Sequence, residues 1–296
     1  MHNQIYLTAD FLATKESEQS NNIRWFKDIL KRPLQQATGL VSQEFKSAFL
    51  EKNGFVRSRF FEASGIHFSP SEMQFDYDAN SVTDDSISYL QQHISASTLV
   101  VGYELSKATR TILDRAGITY IDIWLHPIRF LDDVLFAFNS NNPAINAALQ
   151  TFNINEETYY LYADRLRVQN YRGFRRPKLD LVEDSALFVG QTLYDKAISS
   201  NGKMLSLLDF KEKFEKLCKQ HSHVYYSRHP FVKEGDEHVI AYVKQHKNVS
   251  LIDDPAYFLL ATDEIKTVAS LSSSVVHEAK YCLLYTSPSP RDQRGS

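Results

Sequence analysis

The sequence predicts an α/β protein of two domains built on mainly parallel sheets, and three observations carry that expectation. Short apolar runs alternate with longer stretches of helical period, as strand–helix–strand units require. Polar motifs recur where an apolar run ends and a helical one begins, the edge at which open parallel sheets bind ligands. Between the two halves, Tyr171-Arg172-Gly173-Phe174-Arg175-Arg176-Pro177-Lys178 interrupts the pattern with Gly, Pro and four basic residues, as a solvated connection or a contact to an acidic ligand would.

Ile5–Leu12 is the first strand candidate. Asn22–Lys31 reads as a short amphipathic helix, with Ile23, Phe26 and Leu30 at helical spacing and Pro33 ending it. Val41–Lys52 reads as a second helix. Ser97–Tyr103 is a compact apolar strand, a helix from Ser106 to Ala116 closes at Gly117, and Thr119–Trp124 completes a βαβ unit. Pro143 to about Arg172 is helical, with a break near Asn153-Ile154-Asn155. In the second half Ala186–Val189, His223–Tyr226, Val249–Ile252 and Thr267–Leu271 are strands. Leu205–Gln220 is a helix with Leu207, Phe210, Phe214 and Leu217 on its core face; Glu237–His246, Pro255–Leu260 and Ser274–Tyr281 are the others.

These runs set the expected domains at residues 1–175 and 185–281, joined by a linker over 176–184. Cys282-Leu283-Leu284-Tyr285-Thr286-Ser287-Pro288-Ser289-Pro290-Arg291-Asp292 resembles the translation of a transposase sequencing adapter, although its composition also fits a disordered terminus. Residues 282–296 are therefore expected to be a non-native tail outside the fold. The second domain then stops inside its last helix, with apolar surface uncovered and stability below that of a longer parent.

Composition narrows the function. Across 296 residues, 33 basic side chains face 36 acidic ones for a net charge of −3, against the basic excess of a general phosphate-backbone binder, so no nucleic-acid partner is expected. Cysteine is nearly absent; Cys218, in an amphipathic stretch, is expected to be a small buried hydrophobe, and a reducing compartment fits. Met1-His2-Asn3-Gln4-Ile5-Tyr6-Leu7 lacks the basic and long apolar regions of a secretory signal, and no run approaches the roughly 18 apolar residues of a membrane span. A soluble cytoplasmic protein is expected.

Three motifs close strands of the second half. Gly190-Gln191-Thr192 with Asp195 follows the first; Asp195 there is placed to be a nucleophile, a general base or a turn residue, and Gln191 to fix a sugar or base edge or to satisfy the loop. Arg228-His229-Pro230 follows the second: arginine forms bidentate clamps and histidine donates to phosphate oxygens, while a surface His-Pro turn has the same spelling. Ser272-Ser273-Ser274 follows the last, an N-cap cluster whose hydroxyls suit a phosphate, with Glu278 placed to support the helix start. In the first half Glu104 follows the Leu99–Tyr103 run, as an acid/base or as a helix-start carboxylate. Asp132-Asp133 has the look of a metal pair but no third placed ligand, and no zinc spacing, phosphate-cradling Gly-rich loop or nucleophile-elbow serine is present.

Assembled, the chain resembles GT-B glycosyltransferases, in which two Rossmann-like domains face each other and the second holds the nucleotide sugar. The His-Pro element and the serine cluster resemble those of bacterial transferases that use CMP-activated acidic sugars. Val101-Gly102-Tyr103-Glu104-Leu105-Ser106, Trp124-Leu125-His126-Pro127-Ile128-Arg129-Phe130-Leu131-Asp132-Asp133 and Gly190-Gln191-Thr192 through Asp195 resemble the retaining β-Kdo transferases of bacterial surface-polysaccharide assembly, over most of residues 1–281. The resemblance implies CMP-Kdo as donor, a capsule or lipopolysaccharide glycan as acceptor, and double displacement with Asp195 as nucleophile. It implies that Gln191, Arg228, His229 and Ser272, Ser273 and Ser274 hold the nucleotide sugar and that Glu104 is the acceptor-side acid/base, with no cofactor and no metal. A lipid-linked acceptor would draw the otherwise cytoplasmic protein to the inner membrane. CMP-sialic acid or another nucleotide sugar as donor, and a non-catalytic glycan-assembly scaffold, are the alternatives.

Overall fold

Strand runs buried on both faces occupy the middle of two separate sheets, and the chain falls into two units around them. The first is Met1–Leu125 with Phe136–Asn153, the second His126–Leu135 with Ile154–Ser296. The computed structural model describes residues 2–50, 54–72, 74–172, 180–193, 199–200 and 203–286.

The first unit comprises β1 (Gln4–Ala9), α1 (Glu16–Thr38), β2 (Ser42–Glu44), the short pair β3 (Ser47–Ala48) and β4 (Phe55–Val56), α2 (Arg57–Glu62), α3 (Asp84–Gln91), β5 (Thr98–Tyr103), α4 (Lys107–Arg115), β6 (Thr119–Leu125), β7 (Phe136–Ser140) and α5 (Pro143–Gln150). Its sheet runs β2-β1-β5-β6-β7, parallel except for the antiparallel edge strand β7. Central β5 is buried along its whole length, which is why its sequence is a continuous apolar run rather than an alternation. Phe11, Phe60, Leu90, Val100 and Ile112 form one core cluster; Ile5, Leu7, Phe26, Val101 and Ile123 form another. Ser106 caps α4 by accepting from the Thr109 N–H (3.2 Å), and Gly117 ends it at φ 66°, where a side chain would be strained.

Two helix expectations fail in this unit. Pro33 does not end α1, which continues to Thr38; the helix carries the proline on an exposed face, forgoing one backbone hydrogen bond and accommodating the ring against the preceding turn. The stretch expected as a helix over Val41–Lys52 forms β2 and β3 instead, Glu51 and Lys52 lying outside the described residues. Ser42 pairs beside Ile5, the Phe45 N–H donates to the Leu7 carbonyl (2.9 Å) and Gln19 Nε2 to Ser47 Oγ (2.9 Å), so tertiary pairing overrides local propensity.

The second unit comprises α6 (Glu156–Arg172), β8 (Ser185–Val189), the antiparallel pair β9 (Ser199–Ser200) and β10 (Lys203–Met204), α7 (Lys211–Gln220), β11 (His223–Ser227), α8 (Glu237–Val243), β12 (Val249–Ile252), α9 (Ala256–Leu259), β13 (Ile265–Ser270), α10 (Val275–Tyr281) and β14 (Tyr285–Thr286). Its sheet runs β12-β11-β8-β13-β14, parallel throughout. The helix expected from Leu205 starts at Lys211, because Ser206 and Asp209 form a reciprocal capping box around a preceding 3-10 turn. Cys218 is buried beside Phe214 and Leu217, as expected of a small hydrophobe.

Unit boundaries depart from the sequence-based ones. The break near Asn153 separates α5 from α6, and α6 joins the second unit because Ala163 packs with Leu187 and Val268. Residues 173–179, most of the expected connection, lie outside the described residues. The stretch from Cys282, expected outside the fold, contributes to it as far as Thr286: Cys282 is 1% exposed, Leu284 packs on the same core, and Tyr285–Thr286 pairs with β13. Residues 287–296 lie outside the described residues. Among the described residues no helix is long and apolar enough to cross a membrane.

Candidate functional site

Strand register brings three of the expected motifs to one edge of the second unit. Val189, at the end of β8, pairs with Ser227 at the end of β11 on one side and with Ser270 at the end of β13 on the other. The next residues of each strand are therefore neighbours at the carboxyl ends of adjacent parallel strands, about 4.8 Å apart. Gly190-Gln191, Arg228-His229 and Leu271 through Ser274 leave the sheet there. Gly190 makes the approach possible: its N–H donates to the Ser227 carbonyl (2.8 Å), and a Cβ would lie 3.0 Å from that oxygen and from the Tyr226 hydroxyl.

The Gln191, Arg228 and His229 side chains on this edge are each partly committed. Gln191 Nε2 donates to the Leu205 carbonyl (3.0 Å). Arg228 grips Asp236 with both arms of its fork, Nε to Oδ2 at 2.9 Å and Nη2 to Oδ1. Asp236, only 6% exposed in the turn before α8, has no sequence signal of its own, yet it sets the direction of the arginine. This pair raises the guanidinium pKa, the hydrogen bond to Asp236 being the largest cause. His229 Nδ1 accepts the Phe231 N–H (3.2 Å), which places the proton of the neutral ring on Nε2.

The serines differ in role. Ser273 Oγ accepts the Val275 N–H (3.3 Å) and its own N–H donates to Ser270 Oγ (2.9 Å), whereas Ser274 adopts a helical conformation and caps nothing with its side chain. Ser272 and Ser274 are half-buried on the same turn. α10 has seven residues, so hydroxyls rather than a long helix dipole are what this turn offers an anion.

Glu278 departs from expectation. Fully buried, it accepts the Arg129 N–H (2.6 Å) and the Tyr257 hydroxyl (3.0 Å) at Oε1, and so anchors the 126–135 segment instead of supporting the start of α10. Burial pushes its carboxyl above the usual range, against those two donors. Asp195 lies outside the described residues.

Glu104 belongs to the first unit, at the carboxyl end of β5. Its backbone is left-handed (φ 51°), uncommon for a residue other than Gly, and its side chain is exposed. Three hydrogen bonds impose that conformation. The Glu104 N–H donates to the Ile123 carbonyl (2.8 Å), the Leu105 N–H to Asp122 Oδ1 (2.8 Å), and the Ser106 N–H to Asp10 Oδ2 (2.8 Å). Asp10 Oδ1 also accepts from Thr109 Oγ1 (2.6 Å) and the Ala13 N–H (3.0 Å). Burial raises the Asp122 carboxyl to about 6, opposed by Leu105 and Arg110. Over-determined backbone strain of this kind is characteristic of functional sites.

Among the described residues no three His, Cys, Asp or Glu side chains are grouped as a metal ion would need. Asp132 is paired with Arg165.

No family model matches the chain, and no curated protein matches it. Among solved structures it is similar to the Thermosulfurimonas dismutans KpsC beta Kdo 2,7 transferase, at 11% identity and TM-score 0.47, over 96% of this chain and 78% of that one. It is similar to the beta Kdo 2,4 transferase of the same KpsC at 12% identity and TM-score 0.43, over 97% and 79%. A third is the Methanocaldococcus jannaschii UDP-GlcNAc 2-epimerase in complex with UDP-GlcNAc and UDP, at 12% identity and TM-score 0.35, over 95% and 82%. At such identities and scores, no residue of this chain takes a role from these likenesses.

Proposed function

We propose that the chain is a GT-B-type glycosyltransferase that moves Kdo from CMP-Kdo to a bacterial surface-polysaccharide acceptor with retention of configuration. The observation that supports this most is the shared register of β8, β11 and β13, which gathers Gln191, Arg228, His229 and the serines on one carboxyl edge. An arginine fork pre-set by a buried aspartate, an imidazole Nε2–H and hydroxyls together suit the phosphate of a nucleotide sugar. The sequence resemblance supplies the donor.

In this reading Asp195 attacks the anomeric carbon as the bond from that carbon to the phosphate oxygen breaks, and CMP leaves with the bonding electrons. Arg228, His229 and the serines stabilise the charge gained by the phosphate. An acceptor hydroxyl then attacks the same carbon, its proton passes to Glu104, and the Asp195 carboxylate is released. Two inversions give net retention.

Calorimetric titration with CMP, UMP and GMP, followed by intact-mass analysis with CMP-Kdo, tests the proposal. CMP is expected to bind in preference to the others, His229→Ala to weaken it, and a sugar adduct to appear that is absent in Asp195→Ala. Binding of another nucleotide instead would redirect the donor, and undiminished turnover in Asp195→Ala would sink the nucleophile. Binding of no nucleotide would overturn the proposal.

A further inference from the structure

The first unit buries a cation whose hydrogen bonding is incomplete among the described residues. Arg57, at the start of α2, is 1% exposed. Its Nη1 donates to the Thr14 carbonyl and its guanidinium lies 4.6 Å from the centroid of the Phe75 ring, but its Nε is buried with no hydrogen-bond partner among the described residues. Burial lowers its pKa to about 10, which leaves it charged at neutral pH. Glu16 and Asp10 act on this charge from nearby, but among the described residues no carboxylate is hydrogen-bonded to it, and a buried donor left unmet is costly.

That side chain lines a cleft of about 500 Å³ together with Lys15, Glu16, Ser17, Ser20, Phe49, Leu50 and Pro70. The cleft opens at the N-terminus of the 23-residue α1. Lys15, at the N-cap, offers no side-chain oxygen, and the first intrahelical bond runs from the Gln19 N–H to the Lys15 carbonyl (3.0 Å). The Ser17 and Glu18 N–H groups therefore precede the hydrogen-bonded ladder, at the positive end of a long helix. Charged groups in the lining are Lys15 and Arg57 against Glu16, and Glu18 stands on the same turn.

We propose that this cleft binds a small oxyanion, the phosphate or carboxylate of a soluble ligand, between the α1 N-terminus, the Ser17 and Ser20 hydroxyls and the Arg57 guanidinium. Helix start and a buried, incompletely paired arginine meet in one cavity, where an oxyanion would accept from the free N–H groups of the helix and add to the field of the guanidinium. This site stands in the first unit and is independent of the donor-edge reading.

The test is amide chemical-shift titration of the ¹⁵N-labelled full chain with sodium phosphate, sodium acetate and sodium chloride at constant ionic strength. Saturable shifts are expected at Ser17, Glu18 and Ser20. A response to phosphate alone assigns a phosphate ligand, to acetate alone a carboxylate, and to both a general oxyanion site. Ser17→Asp should weaken that binding at least tenfold and leave Tm in place, since an acidic residue in the first turn suits the helix. No saturable shift with either oxyanion, an equal response to chloride, or unchanged binding in Ser17→Asp would overturn the proposal.

Discussion

Asp122 shows how one carboxylate can hold a loop and carry a pH dependence. It lies on β6, almost fully buried, and receives the Leu105 N–H and one arm of Arg110 (3.2 Å). Burial nevertheless dominates and raises its pKa from 3.8 to about 6. The folded protein therefore holds that proton more tightly than the unfolded chain does. The linked stabilisation is complete below about pH 4 and is lost as pH rises through 6. Asp122→Asn cannot ionise, so wild-type stability relative to this variant should fall by on the order of 3 kcal/mol between pH 4 and pH 7. Urea denaturation across that range measures it; a difference that stays flat with pH would show that the carboxyl does not titrate there.

At the scale of elements, the second unit's edge depends on how closely β8 and β11 end. Gly190→Ala places a methyl 3.0 Å from the Ser227 carbonyl oxygen and 3.4 Å from the His229 nitrogen, atoms of the backbone that move only with the strand. The substitution should cost about 1–3 kcal/mol, as overpacking does, and, on the function proposed above, should weaken nucleotide binding along with stability. A shift in urea midpoint without loss of binding would separate the packing role from the site. Central strands such as β5 and β8 were legible in the sequence because burial on both faces leaves an apolar run, and the motifs at the carboxyl ends of β8, β11 and β13 because each follows a largely apolar stretch. The edge strands β2 and β7 were not legible, since their partners rather than their composition make them strands. Asp10, Asp122 and Asp236 were silent for the same reason, and Glu278, read as support for the start of α10, takes its partners from residues 129 and 257 instead. The Ser106 N–H that Asp10 accepts lies 96 residues away in sequence, and no local pattern encodes such a bond.

Across the whole molecule, each unit has its own sheet and its own buried clusters. Damage to one core should therefore be felt first in that unit. Phe60→Ala, at a fully buried position of the first unit, should cost about 3–5 kcal/mol there. Hydrogen exchange followed by mass spectrometry should then show faster exchange in β1 and β5 while β8 and β11 keep their protection. Equal loss in all four strands would mean that the units unfold as one cooperative body.

The left-handed turn at Glu104 has a practical corollary. Its shape is dictated by what Asp10 and Asp122 accept from residues 105 and 106, and by a main-chain bond to Ile123, none of which involves the glutamate side chain. Position 104 is thus a socket, with geometry supplied by neighbours and contents interchangeable. Asparagine or aspartate, the residues other than glycine that best tolerate this backbone, would present an amide or a shorter carboxylate from the same point in space. An engineer seeking new chemistry on this sheet edge would begin there, because the scaffold that aims the side chain survives its replacement.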